Sequence, residues 1–453
     1  MGQDRSGGEP DLKVSTRLAR VVGRDQLVAV LVALVGGGLL ILRAPFAIRN
    51  FYAEDGARFF QDALDSGLLD SFRHSLAGYY LFVPRTIGFL VTLAPVSVMA
   101  LTNFILVVLV VGWANSTIYL SSGSTLRNPL SRLSLAVGVT LLPIVGFESI
   151  ANSTNLHFIL LCATAAVLVG EQRTRWQEVS GTLLALLSGL TTPLTVALVP
   201  LSVFRVWRDR QTASGRVSAV AIGWALGTAT QLFLILFFAR GSRGLGEDRS
   251  VQRTAFLLLD RVFGYNFIPF WPSTRGDSYT GSVSAQLVGR AVFCGVLAVL
   301  VGLVLLRAGR AGIRSGEHLR VMATALVLCV GVGFWLAAGM LFSTEPRYAI
   351  FPAFSIFWAL LVANELMATP SLRGRFVRSN LVSMGVGLLL VTAFASHWQP
   401  SELRRIGPNW SDGVRAAEIE CASTGGTTGS IRVLPMNDDW RVELPCELLI
   451  QQG

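Results

Sequence analysis

The chain has 453 residues, of which 52% are hydrophobic and only 15% charged, with 38 basic against 28 acidic residues and a formal net charge of +10. Apolar runs of membrane-spanning length fill most of it, which excludes a soluble globular enzyme and a disordered chain. Lys13 is the only lysine, and the arginines gather in short turns between apolar runs; that is the charge bias of cytoplasmic membrane loops, so no nucleic-acid partner is expected.

Residues 1–23 form a polar arm with Lys13, Arg17 and Arg20, followed by Arg24 and an apolar run to 44. Arg43, Pro45 and Phe46 close that run without a small-residue cleavage site, so a retained first helix is expected. Eleven spans are predicted, at 24–44, 97–120, 131–147, 154–170, 177–190, 193–207, 217–239, 285–307, 320–342, 348–367 and 380–396. The fold class is therefore an all-α polytopic membrane protein of about eleven transmembrane helices. Placing the basic turns in the cytoplasm puts the long polar segments 45–96 and 240–284, and the tail after 397, on the outer face. The domain reading follows: a cytoplasmic arm at 1–23, a transmembrane domain at 24–396, and a small extracytoplasmic domain at 397–453.

Residues 81–94 are apolar but short, and they contain Pro84 and Arg85. Counting them as a span would invert every later loop, so they are expected to lie as a helix in the outer interface. Residues 57–70 read as a surface helix with Phe59, Phe60, Ala63, Leu64 and Leu68 on one stripe. Cys162, Cys294 and Cys329 sit in apolar runs as packing residues. Cys421 and Cys446 lie in the polar tail and could pair if it is extracytoplasmic. Ser411 is positioned to cap a short helix running through Cys421, and Val433-Leu-Pro and Val442-Glu-Leu-Pro-Cys read as short strands.

The first outer loop opens with the stretch Phe51-Tyr-Ala-Glu-Asp-Gly-Ala-Arg-Phe-Phe60. Glu54 and Asp55 are adjacent carboxylates at the membrane boundary, where one could act as a general base and the other orient it. Both side chains are expected to face water, with Gly56 supplying a sharp turn. The bland alternative is a solvated acidic pair at a helix N-terminus. The turn between the third and fourth spans carries Glu148, Asn152, Asn155 and His157, polar groups suited to sugar hydroxyls or to capping. Arg347, in Ser343-Thr-Glu-Pro-Arg-Tyr348, and Arg85, beside Tyr79 and Tyr80, offer forked donors for a phosphate or merely anchor helices at the interface. The sequence contains no phosphate-binding loop, dinucleotide fingerprint, nucleophile elbow or zinc spacing. It names no cofactor and leaves a divalent cation open.

This arrangement resembles the GT-C superfamily of integral membrane glycosyltransferases. The resemblance rests on Ala53-Glu-Asp-Gly56 in a large first outer loop, Gly78-Tyr-Tyr-x-x-x-Pro-Arg85 after it, Asn155-x-His157, and Pro346-Arg-Tyr348. The tail Trp410…Cys421…Leu444-Pro-Cys446 is similar to that of polytopic actinobacterial proteins with the same acidic start. The resemblance implies a GT-C-like fold in a bacterial plasma membrane. It implies a sugar donor linked to a polyprenyl phosphate and an envelope glycan, lipid or protein acceptor, with transfer on the outer face. Glu54 or Asp55 would activate the acceptor hydroxyl, and Arg347 with Arg85 would stabilise the departing lipid phosphate. Tyr79, Tyr80, Glu148, Asn152, Asn155 and His157 would line the sugar and acceptor site. The rival reading is a transporter or flippase for a lipid-linked saccharide. Transporters place ionisable groups at mid-membrane, whereas the acids here gather at the outer surface.

Overall fold

The computed structural model describes residues 10–76, 78–146, 149–172, 174–211, 218–238, 251–271, 285–341, 345–367, 391–398, 404–405, 407–435 and 440–450. Helix α1 (Pro10–Arg43) leads into the first loop, which holds a 3-10 turn at Pro45–Arg49, a π-helical turn at Asp55–Phe60, α2 (Gln61–Ser71) and α3 (Phe82–Thr92). Then come α4 (Met99–Ser121), α5 (Pro129–Leu141), α6 (Leu156–Val169), α7 (Arg175–Thr191), α8 (Val199–Arg210) and α9 (Ala219–Phe238). A second loop carries α10 (Val251–Leu258) and another π-helical turn at Leu259–Gly264. Helices α11 (Ala285–Arg314), α12 (His318–Leu341) and α13 (Ile350–Met367) follow. The tail holds α14 (Trp410–Thr424), strands β1 (Thr428–Arg432) and β2 (Arg441–Pro445), and α15 (Cys446–Ile450).

The chain is an all-α membrane protein apart, among the described residues, from this one hairpin, and seven described helices are long and apolar enough to cross a bilayer. They fall on seven of the sequence-predicted spans: 24–44, 97–120, 131–147, 217–239, 285–307, 320–342 and 348–367. The spans predicted at 154–170, 177–190 and 193–207 are helical but short. Helix α6, at 14 residues, is about 21 Å long against a hydrocarbon core of about 30 Å. All 14 of its residues are buried, so it is the central packing element rather than a lipid-facing one. Of the span predicted at 380–396, only the helical turn at 391–396 lies within the described residues.

Local chemistry sets these boundaries. Asn128 caps α5 by accepting the Leu130 N–H, with Pro129 at the first helical position. The helix stops before Pro143, and its end is closed from a distance. The Arg43 guanidinium, buried at the end of α1, donates to the carbonyls of Thr140 (2.6 Å), Leu142 (3.0 Å) and Pro143 (3.1 Å). These are carbonyls that a helix end leaves without an internal partner.

The arginine-rich turns meet at one end of the bundle. Arg127 pairs with Glu317 at 2.6 Å and Arg320 with Glu365 at 2.7 Å, while Glu365 also accepts the Arg127 and Asn128 N–H groups. At the other end lie the first loop, the turns at 143–146, 149–155 and 346–349, and the tail.

Helix α3, about 16 Å long, cannot cross a bilayer. It packs on the first loop through Gly88, where a side chain would strike the Phe59 backbone 2.5 Å away. The predicted surface helix at 57–70 is not laid on a membrane by its stripe. Phe59, Phe60 and Ala63 are buried in protein, and the large apolar residue it exposes is Leu69. Cys162 and Cys294 are packed inside as expected, but Cys329 is exposed on the surface of α12.

The tail is less separate than the domain reading supposed. Trp410 packs edge-on against Phe51 (4.9 Å) and Phe60 (6.4 Å), and its indole N–H donates to Val96 O at 2.6 Å. Gln61 exchanges hydrogen bonds with the Glu443 backbone at 2.8 and 3.1 Å. Helix α14 begins at Trp410, with Asn409 before it making no side-chain cap and Ser411 already inside the first turn. It ends at Gly425, whose φ of 62° is the left-handed value that favours glycine. A disulfide joins Cys421 to Cys446 across 25 residues.

Candidate functional site

The acidic pair splits into two environments. Glu54 is half-buried, whereas Asp55 is 1% exposed, which corrects the expectation that both face water. The physical reason is a set of donors that the first loop meets on the turn before α6. Asp55 Oδ1 accepts from Ser153 Oγ (2.8 Å), Thr154 N (3.1 Å) and Thr154 Oγ1 (2.9 Å). Its Oδ2 accepts from Ser153 N (2.8 Å) and Asn103 Nδ2 (3.4 Å). A carboxylate offers about four lone-pair sites, so five donors saturate it. Asp55 therefore serves as a tie between the first loop and this turn, and is poorly placed to take a proton from a substrate.

The sharp turn also falls elsewhere than expected. Ala53, not Gly56, has the left-handed φ, at 44°. Ala151, on the facing turn, has φ 53°. Such values in non-glycine residues cost energy and persist only where surrounding contacts fix them. Here those contacts come from the tail. The Ala53 N–H donates to Leu434 O, and Leu434 N–H donates to Phe51 O at 3.3 Å. Gly56 instead makes room: a side chain there would meet Phe51 and Val442.

Arg404 completes the tie. Its side chain is buried, and Nη2 donates to Ile150 O (3.0 Å) and Ala151 O (3.1 Å). Its guanidinium lies over the Tyr52 ring at 4.9 Å, and its backbone carbonyl accepts from Asn50 Nδ2 at 3.2 Å. Burial pushes its pKa down from the ordinary value, and the nearby Asp55 charge opposes that shift. Arg404, Asn103, Ser153 and Thr154 were not singled out from sequence. Only the proximity of Ser153 and Thr154 to Asn152 and Asn155 pointed toward them.

The remaining expected residues are brought near one another, but mostly buried. Asn152, Asn155 and His157 are 1%, 2% and 3% exposed, so as they stand they do not present themselves to a sugar. Asn152 Oδ1 accepts the Thr154 N–H at 2.8 Å, turning the chain. His157 Nδ1 lies 2.6 Å from Thr154 O, so that nitrogen carries the proton. The His157 ring touches Phe158 (4.1 Å), and Phe158 meets Tyr348 edge-on at 5.3 Å. Contacts thus run from Asp55 through Thr154, His157 and Phe158 to the turn bearing Arg347. Glu148 lies outside the described residues, as do 240–250 and 272–284 of the second loop.

Both expected phosphate-binding arginines already have carboxylates. Arg85 is 1% exposed, donates to Asp62 Oδ2 at 2.8 Å and sits over the Phe59 ring at 5.4 Å. Of the two readings left open for it, this pairing is the anchoring one: it locks α3 to α2. Arg347 is paired with Glu345 but is 18% exposed. Tyr80 is buried, and its carbonyl accepts from Gln231 Nε2 at 2.8 Å; Tyr79 is half-buried in a tight turn with Leu76. Among the described residues no three His, Cys, Asp or Glu side chains form a metal-binding group.

Neither the protein-family models nor the curated proteins compared with this chain match it.

Proposed function

We propose that this protein is a GT-C-type membrane glycosyltransferase with eleven spans. In this reading its amino terminus is cytoplasmic and its tail extracytoplasmic, in a bacterial plasma membrane. It moves a sugar from a polyprenyl-phosphate donor to an envelope glycan, lipid or protein acceptor. One observation carries the reading: Glu54–Asp55, the turn holding His157, and the Arg347–Tyr348 turn converge at a single end of the bundle, opposite the arginine-rich turns. Ionisable groups gathered at one bundle end suit surface chemistry on a lipid-borne substrate better than mid-membrane passage.

The two carboxylates take different roles. Asp55 is the fixed positioning group and Glu54 the base, because Asp55 is saturated with donors and Glu54 is partly exposed. Glu54 takes the proton of the acceptor hydroxyl, whose oxygen bonds to the anomeric carbon as the bond from that carbon to the phosphate oxygen breaks. The lipid phosphate leaves with the electron pair. Arg347, exchanging Glu345 for the phosphate, stabilises the charge that grows there.

The test is transfer by the purified protein from a defined polyprenyl-phosphate sugar to a matched acceptor. Glu54→Gln should lower the rate by about 10²–10⁴-fold. Arg347→Lys, which keeps charge but loses the fork, should also lower it clearly. Near-normal transfer by Glu54→Gln would remove the proposed base and turn the reading toward transport of a lipid-linked saccharide.

A further inference from the structure

A pocket of about 370 Å³ opens where the 3-10 turn at Pro45–Arg49, the start of α4 and the start of α14 meet. Its wall includes Arg49, Ser97, Val98, Leu101, Asn409 and Ser411. The composition is lopsided. Among the described residues Arg49 is the one charged residue lining it, and the lining Asn409 donates through Nδ2 to Asp412 Oδ2 at 2.9 Å. Arg49 is exposed and has no ion pair among the described residues, unlike Arg85 and Arg347. Two hydroxyls and a carboxamide stand beside it. The rest of the lining is apolar and includes the buried Trp410 ring, and both helices expose apolar residues farther along, with Leu42 66% and Ile105 47% exposed.

Its level is fixed by the chain. Arg49 lies six residues past Arg43, where the first spanning stretch ends, and Ser97 and Val98 open the second spanning stretch at Val96–Ser124. The pocket therefore sits at the headgroup level of the bilayer, with its apolar flank running down into the hydrocarbon. An unpaired guanidinium with hydroxyl neighbours selects a phosphate; an apolar flank below it selects a chain attached to that phosphate.

We infer that this pocket binds the phosphate head of a membrane lipid, with Arg49 holding the phosphate and the lipid chains lying against α1 and α4. A soluble protein partner would need no acyl-width apolar flank, and free phosphate would not use it. The inference stands apart from the glycosyl-transfer reading, because its test measures binding and not turnover.

The experiment is native mass spectrometry of the full chain in detergent, titrated with dioleoyl phosphatidic acid. Dioleoylglycerol, which has the same chains and no phosphate, and inorganic phosphate serve as the other probes. Phosphatidic acid should give one retained adduct. Arg49→Gln should weaken that adduct roughly ten-fold, the loss of one charge-assisted contact. Ser97→Trp, an exposed position that fills the pocket, should abolish it, and Arg58→Gln, an exposed arginine elsewhere in the loop, should leave it unchanged. Dioleoylglycerol should give no retained adduct, and millimolar inorganic phosphate should not displace the lipid. Equal retention by wild type and Arg49→Gln, or dioleoylglycerol held as tightly as phosphatidic acid, would overturn the site. Complete displacement by inorganic phosphate would overturn the lipid assignment in favour of a free-anion site.

Discussion

Asp55→Asn is the most discriminating perturbation, because it keeps the side chain's shape and changes only charge and acceptor count. In the better amide orientation the carbonyl oxygen occupies the Oδ1 place and keeps the Ser153 Oγ, Thr154 N and Thr154 Oγ1 donors. The amide nitrogen then confronts the Ser153 N–H, which loses its acceptor at 2.8 Å. A buried donor left unsatisfied costs about 1–3 kcal/mol, and the retained bonds weaken because hydrogen bonds to a charged acceptor are worth about 1.5–3 kcal/mol against about 1 for neutral pairs. Arg404 also loses the carboxylate that offsets its burial. A cost of about 3 kcal/mol follows, within the range for breaking a buried charge pair. It raises the population of the opened turn roughly hundred-fold. Hydrogen exchange read by mass spectrometry on peptides covering 149–158 reports that opening directly. Asp55→Asn should accelerate exchange there about hundred-fold, whereas Glu54→Gln, at a half-buried neighbour, should change it by less than about three-fold. Exchange in Asp55→Asn within about three-fold of wild type would refute the role of Asp55 as a tie.

Three further outcomes are expected. Arg404→Lys keeps the charge but loses the paired donors to Ile150 and Ala151, so the thermal midpoint should fall for a cost of about 1–3 kcal/mol; an unchanged midpoint contradicts it. Replacing Cys421 and Cys446 by serine removes the closure of a 25-residue loop, about 3 kcal/mol, and should expose the tail to limited proteolysis that the oxidised protein resists. Ser315→Cys and Thr427→Cys are both exposed and lie at opposite ends of the bundle. An impermeant maleimide should reach only Thr427→Cys in intact cells, and labelling of both would defeat the proposed orientation.

What the sequence made legible was the part written in local pattern. Runs such as 97–120 and 320–342 are apolar over a full span, so helices there follow from length alone. Pro84 and Arg85 marked 81–94 as a short helix, and α3 is 11 residues long. The site was legible only as a neighbourhood. That Asp55 would be buried depends on donors from Ser153 and Thr154, hydroxyl residues about a hundred positions on that look like any polar turn. Arg85 was read beside its sequence neighbours Tyr79 and Tyr80, but its partner is Asp62, 23 residues earlier across a helix pair. The tail's docking had no local signal. Leu434 meets Ala53 by backbone hydrogen bonds, which any residue could make, so side-chain identity carried no trace of it.

That docking sets a timetable for synthesis. Gln61 waits for Glu443, 382 residues later, and Asn50 waits for Arg404, 354 later. At about 5–20 residues per second, the first loop emerges roughly 20–80 s before the segment that fixes Ala53 in its left-handed conformation has been made. Through that interval the spans between them are inserted while the acidic loop lacks the tail contacts seen in the finished chain. A ribosome-stalled chain ending before 400 should therefore carry an inserted bundle whose residues 50–61 are cut by protease, and the same residues should become resistant once the last fifty are released. The loop made early is completed by a segment made up to 382 residues later, so its fixed shape is a property of the long chain and not of its own neighbourhood.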